Sequence, residues 1–301
     1  MVPYLGRWLL LSCLLGALAG SASAFFLYSL DLATDTRTGH PWLLWLLPVA
    51  GLVTGWVYLH IGKPVEGGNN LLIDEVHDPQ KIVPKRMAPL VLAATVVTHR
   101  FGGSAGSEGT AVQMGGALAD QVTHLFKLDN EDRRILLMGG IAAGFSSVFG
   151  TPLAGAIFGL EVLAIGRLRY DALLACLASS VAADLVCRMW GIHHTVYSIP
   201  FLPPVTALGL GSAVVAGMAF GVVGMLFADS THALSALMKR KLAWAPVRPF
   251  VGGAAVAIMA TLLNVPQYLG LGIPTIEAAF HGNLPVSSLD GKSAFTVVRL
   301  A

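Results

Sequence analysis

Residues 102–116 read Gly-Gly-Ser-Ala-Gly-Ser-Glu-Gly-Thr-Ala-Val-Gln-Met-Gly-Gly, a glycine-rich loop running into the start of an apolar helix. The first turn of a helix leaves its amide N–H groups without intrahelical partners, here those of Glu108, Gly109, Thr110 and Ala111. Together with the helix dipole they form a partial positive charge suited to a small anion, with Gly106 and Ser107 leading into it. Glu108 lies in the same turn. Its carboxylate can fill the anion position when ionised and leave it when protonated, which makes it a gate and a proton carrier at once. Acidic side chains are also favoured at helix starts for capping and dipole reasons alone. On these residues by themselves both readings stand.

The surrounding chain decides what medium this loop lies in. Of 301 residues, 55% are hydrophobic and only 12% charged, with a mean hydropathy of +0.70, which no soluble domain of this size shows. The fold class expected is an all-α integral membrane protein. A net charge of +2 argues against nucleic acid as a partner. Residues 8–30 carry no basic or acidic side chain and make about 34 Å of helix, enough for a hydrocarbon core of about 30 Å. Ala22-Ser23-Ala24 offers a signal-peptide cleavage pattern, but the apolar run continues through Phe25 and Tyr28. A second span covers 41–61, and apolar blocks follow at 86–99, 108–119, 135–149, 151–165, 170–190, 206–228 and 249–264. The blocks at 68–77 and 108–119 are too short to cross. Broken helices are permitted at membrane depth only where protein or a water-filled cavity satisfies their backbone, and transporters build ion sites from them.

Loop charges sort into two sets if the segments alternate. Arg7, Lys63, Lys81, Lys85, Arg86, Lys127, Arg133, Arg134, Arg167, Arg169, Lys239, Arg240, Lys241 and Arg248 fall on one side, and Arg37, Arg100 and Arg188 on the other. The richer side, with the N-terminus, is expected to be cytoplasmic. Gly67-x-Asn69 followed by Ile73-Asp74 is echoed by Gly270-x-Gly272 followed by Ile276-Glu277, the trace an inverted-topology repeat leaves. The expected division is 1–205 as a first repeat and 206–301 as the beginning of a second. The second unit stops within an apolar helical pattern, so it is expected to be incomplete, a C-terminal truncation.

Other residues carry weaker signals. Gly68, Asn69 and Asn70 open a helix where side-chain amides join backbone N–H groups as hard donors for a small hydrated anion, although an asparagine there can equally be a cap. The stretch 144–161 reads as two apolar helices joined by a tight turn, Pro152 starting the second. Asp184 and Arg188 have i,i+4 spacing and fit a structural ion pair near a membrane face. Glu161, close to Arg167, fits a helix-end role. Cys13, Cys176 and Cys187 lie in apolar stretches as small hydrophobes, with no disulfide framework expected. No metal-ligand spacing, phosphate loop or nucleophile motif is present, so neither a metal, a cofactor nor an enzymatic activity is expected.

Gly-Ser-Glu-Gly-Thr-Ala-Val-Gln-Met-Gly-Gly at 106–116 resembles the signature helix start of the CLC chloride channels and anion/proton antiporters, whose pattern is G-R/K-E-G-P. The stretch Gly-Phe-Ser-Ser-Val-Phe-Gly-Thr-Pro-Leu-Ala-Gly-Ala-Ile-Phe-Gly-Leu-Glu at 144–161 and Gly-Leu-Gly-Ile-Pro-Thr-Ile-Glu-Ala-Ala-Phe at 270–280 are similar to later segments of that family, in the same order. Thr110 in place of proline, Gly-Gly-Asn-Asn at 67–70, and Val162 where the chloride exchangers carry a second proton-relay glutamate are closest to the fluoride-exporting CLC-F branch. The resemblance implies an inverted-repeat bundle of tilted and broken helices, and a homodimer in which each subunit has its own pathway. It further implies Glu108 as gating glutamate and Gly68, Asn69 and Asn70 in the anion-coordinating loop. Fluoride export against proton import across the inner membrane is the expected activity. A chloride/proton antiporter or voltage-gated chloride channel, and a non-transporting fragment, are the alternatives. Ser107 departs from the family, which carries arginine or lysine there, and the family's later filter segment and central tyrosine are not matched.

Overall fold

The structure, a computed structural model, describes residues 2–79, 81–161, 170–195 and 205–280. Helices account for the architecture, with no strand among the described residues. Helix α1 spans Val2–Gly39. Its buried side chains Trp8, Leu11, Leu15, Ala19, Ser23, Phe26 and Leu30 recur at three- and four-residue steps, while Leu10, Phe25, Tyr28 and Leu32 face outward, an apolar exterior that suits lipid rather than water. It passes unbroken through Ala22-Ser23-Ala24. Ser23 is buried there and accepts a hydrogen bond from the Ser147 hydroxyl at 2.7 Å, so this segment belongs to the folded core.

A 3-10 turn, Pro41–Leu46, leads into α2, Leu47–Val57, and a wide turn, Tyr58–Gly62. The short helix α3, Asn69–His77, follows a break at Gly68, whose φ of 56° lies where a residue with a Cβ is strained. After a connecting strap, described at 78–79 and 81–86, come α4, Met87–Arg100, and α5, Ser107–Leu125. The chain continues through α6, Asn130–Phe149, a left-handed turn at Gly150, and α7, Pro152–Glu161, the helix pair and Pro152 start that the sequence predicts. The remaining helices are α8, Leu173–Met189; α9, Ala207–Lys241; α10, Val247–Leu262; and α11, Ile273–Phe280.

Fourteen of the 20 residues of α6 are buried, which makes it the post around which α1, α5, α7 and α8 pack. Its approach to α5 is set by glycine. A Cβ on Gly115 would strike the Gly140 carbonyl oxygen, and one on Gly144 the Ala111 carbonyl oxygen, so at these crossings the backbones themselves touch. Asp129 caps α6, its carboxylate accepting the Asp132 N–H at 2.8 Å. On the other flank α10 lies against α2, with Gly51 and Gly55 facing Pro249 and Pro246.

Two element lengths differ from expectation for physical reasons. The apolar block at 108–119 is the first part of a 19-residue helix, because α5 continues through Asp120, Gln121 and His124, polar residues with partners of their own. Helix α9 runs to Lys241, past the apolar block that ends at 228. None of its side chains is buried, although it is apolar on every side. Among the described residues, four segments are long and apolar enough to cross a membrane: Leu5–Gly39, Pro41–His77, Tyr170–Met189 and Ala207–Lys241.

The charges of the folded part gather at two ends. Arg7 pairs with Asp132 at 2.7 Å, beside the cluster of Arg133, Glu75 and Asp120. At the opposite end Arg37 packs on Gly102. The Arg188 guanidinium donates to Asp184 at 2.9 Å, the i,i+4 pair the spacing predicts. Arg167 and Arg169 lie outside the described residues, so the pairing of Glu161 with Arg167 does too, and Glu161 itself is exposed. Cys176 and Cys187 are buried as expected of small hydrophobes, whereas Cys13 faces outward.

Gly140→Ala is expected to force α5 and α6 apart and to cost roughly 1–3 kcal/mol as overpacking. Gly217→Ala, on α9 where nothing lies within 4 Å, is expected to raise stability by up to about 1 kcal/mol, the gain in helix propensity alone. Thermal unfolding of the two variants in detergent measures the difference.

Candidate functional site

Helices α3 and α5 lie side by side and run the same way. Gly68 faces the Gln113 amide, Asn69 faces Gly109, and Leu72 packs on Gly116; further along, Glu75 and Asp120 share Arg133. Their two N-termini therefore come to the same place. Glu108 precedes Asp120 by twelve residues, about 18 Å along the helix. That distance is more than half of a hydrocarbon core of about 30 Å.

Neither start is closed by a side chain. The residue before α3 is Gly68 and the one before α5 is Gly106, and neither start has a side-chain cap hydrogen bond. Asn69 and Asn70 are thus not caps, and Glu108 does not cap its own helix. The Asn70 backbone N–H donates to the Gly67 carbonyl at 3.1 Å, which removes one expected backbone donor. The Asn69 side chain reaches across instead: a Cβ placed on Gly109 would lie 3.6 Å from its Nδ2, and one on Gly68 would lie 3.4 Å from Nε2 of Gln113. Two side-chain amides and two helix dipoles converge.

Gln113 is the residue that reading by motif passes over. Its signal is spacing: it stands four residues after Gly109, on the same face of α5. The Thr110 side chain is engaged elsewhere, while its backbone amide stays at the helix start as the sequence expects. Its buried hydroxyl shares a 2.7 Å hydrogen bond with Thr95 of α4 and also donates to the Gly106 carbonyl at 3.4 Å. Only its backbone is left for an anion. Gly106 and Asn70 are exposed, and Ser107 half-exposed. Glu108 is exposed and, among the described residues, has no hydrogen bond or ion pair, with Arg100 or any other cation.

Other titratable groups stay apart from this point. His194, in the loop after α8, packs against Gly150 and lies 3.9 Å from Asp184. Burial pushes its imidazole below the usual histidine range; Asp184 opposes that, while Arg188 and His193 add to it. An open cavity of about 630 Å³ beside Arg37, between the end of α1 and the start of α11, is lined mainly by apolar groups and does not include Glu108.

Two helix starts that converge with an unpaired carboxylate at one of them are the kind of arrangement from which multi-pass membrane proteins build ion sites. Residues 50–301 match the family model described as voltage gated chloride channel. The chain is 56% identical to the chloride/fluoride channel protein of Pseudomonas syringae pv. tomato, over all of this chain and 68% of that one. It is 29% identical to the H(+)/Cl(-) exchange transporter ClcA of Vibrio vulnificus, over 93% of this chain and 64% of the relative. A solved CLC-type fluoride/proton antiporter superposes with a TM-score of 0.89 at 33% identity, covering 98% of this chain and 75% of that one. A cyanobacterial Cl-/H+ antiporter shares the fold, with a TM-score of 0.80 at 22% identity. The chain belongs to the CLC, or voltage-gated chloride channel, family, and it spans about two thirds of the length of these sequence relatives.

Thr110→Val is expected to cost about 1 kcal/mol of stability through the lost hydrogen bond to Thr95 and to leave anion affinity unchanged. Asn69→Leu is expected to do the reverse. Unfolding in detergent and calorimetric fluoride titration of the purified variants separate the two.

Proposed function

We propose that the protein exports fluoride in exchange for protons across the inner membrane, with the N-terminus in the cytoplasm and as a homodimer in which each subunit carries its own pathway. The observation that carries this reading is Glu108: an exposed, unpaired carboxylate at the start of α5, in the turn where Asn69 approaches Gly109. Fluoride is small and strongly hydrated, and amide N–H groups at two helix starts are hard donors suited to replacing its water. The carboxylate competes for the same donors. Protonation removes its charge and frees the position for the anion, and loss of the anion lets the carboxylate return, so that each event drives the other.

Support for fluoride over chloride comes from the 56% identical relative, whose name includes both anions, and from the 33% identical fluoride/proton antiporter. The Vibrio exchangers support a chloride/proton reading, at lower identity. Ser107 places no positive charge beside the gate, so recruitment of the anion rests on dipoles and amides. The two glycines of positive φ at the starts of α3 and α11, Gly68 and Gly272, support the inverted-repeat division at 205/206, a boundary beside residues outside the described set.

In proteoliposomes, Glu108→Gln is expected to abolish fluoride-driven proton movement while anion binding persists. Coupled exchange surviving in that variant would sink the mechanism, and chloride flux exceeding fluoride flux in the parent protein would select the chloride reading.

A further inference from the structure

Among the described residues, no hydrogen bond joins the start of α3 to the start of α5; they meet there only through glycine backbone and the amides of Asn69 and Gln113. The link between the two helices is made at their other ends. Arg133, on α6, donates from Nε to Asp120 Oδ1 of α5 at 2.6 Å, from Nη1 to Glu75 Oε2 of α3 at 3.1 Å, and from Nη2 to the Lys81 carbonyl at 2.6 Å. The second oxygen of Asp120 accepts the Val83 N–H at 2.7 Å. The Glu75 carboxylate accepts the Lys81 N–H at 3.0 Å. The side chains of Arg133, Asp120 and Glu75 are 7%, 0% and 4% exposed.

A buried charge cluster is weak evidence of stabilisation, since apolar residues of the same volume serve as well or better once desolvation is counted. What it supplies is geometry. The guanidinium is a flat fork with donors in fixed directions, and here each donor engages a different element: α5, α3 and the strap before α4. Six residues separate Glu75 from Asn69, about 9 Å of rigid helix, so a tilt at Glu75 appears as a displacement at Asn69.

We infer that Arg133 is a positioning residue for the anion site: by tying Glu75 to Asp120 it sets the gap between Asn69 and Gly109. The geometric part stands on the contacts alone, and only its functional consequence rests on the fluoride reading. Lysine at 133 keeps the charge but offers a point ammonium on a flexible stem and cannot hold three directions at once.

Disulfide formation measures the gap directly. In the chain with Cys13, Cys176 and Cys187 replaced by alanine, one version carries Asn69→Cys with Gly109→Cys. A control version carries Ser23→Cys with Ser147→Cys, whose native hydroxyls lie 2.7 Å apart between α1 and α6. Arg133→Lys is expected to slow copper-phenanthroline cross-linking of the site pair by up to about 100-fold, in line with the cost of an ångström-scale misplacement, and to leave the control pair unchanged. An unchanged site pair, or both pairs slowing together, overturns the inference. Should Arg133→Lys fail to fold, Arg133→Met with Glu75→Gln and Asp120→Asn removes all three charges and carries the same expectation. In proteoliposomes made with native cysteines and site, Arg133→Lys is expected to raise the fluoride KM more than it lowers kcat; the opposite split also overturns it. Absence of fluoride transport by the parent protein would instead remove the transport reading and leave the cross-linking result standing.

Discussion

Backbone amides at membrane depth must find partners, and this fold is organised around two sets that find none within their own helices. The starts of α3 and α5 are opened by glycine and left without side-chain caps. In water such groups would be solvated at little cost; within a bilayer each one demands a polar neighbour. Bringing the two starts together concentrates that demand at one point. The amides of Asn69 and Gln113 stand beside it, and Glu108 lies in the first turn of α5.

The helices packed around α3 and α5 hold that point in place. Helix α6 supplies the wall, and its glycines let α5 approach until backbone meets backbone. Arg133, near the start of α6, joins α3 and α5 at the end away from the site. The same helix thus fixes the distance between its neighbours at one level by small size and at another by charge. Thr110 turns its hydroxyl toward Thr95, which binds α4 to α5 and leaves the site to backbone, amide and carboxylate groups.

Much of this was legible in the sequence. The apolar composition and uncharged runs pointed to a helical membrane protein, because a continuous apolar run of about 20 residues satisfies its backbone in lipid as a helix, whereas barrel strands are short and alternate. Glycine followed by an acidic residue and an apolar run marked the start of α5, and Pro152 and the Asp184–Arg188 spacing marked local features that the structure repeats. These are properties of neighbours within one or two turns, where spacing alone decides which groups can meet.

What lay beyond sequence reading depended on partners far apart in the chain. Arg133 counted as one more basic loop residue until Glu75, 58 positions away, and Asp120 came beside it. Asp120 likewise appeared to end an apolar block, when burial against Arg133 lets α5 continue. Gln113 became a site residue only because α3 lies parallel to α5, and the Thr110 hydroxyl found a partner only because Thr95 of α4 lies behind it. Local composition determines where a helix can begin and what medium it suits. Which helix stands next to it, and so which polar groups share a buried space, is set by packing across the whole chain.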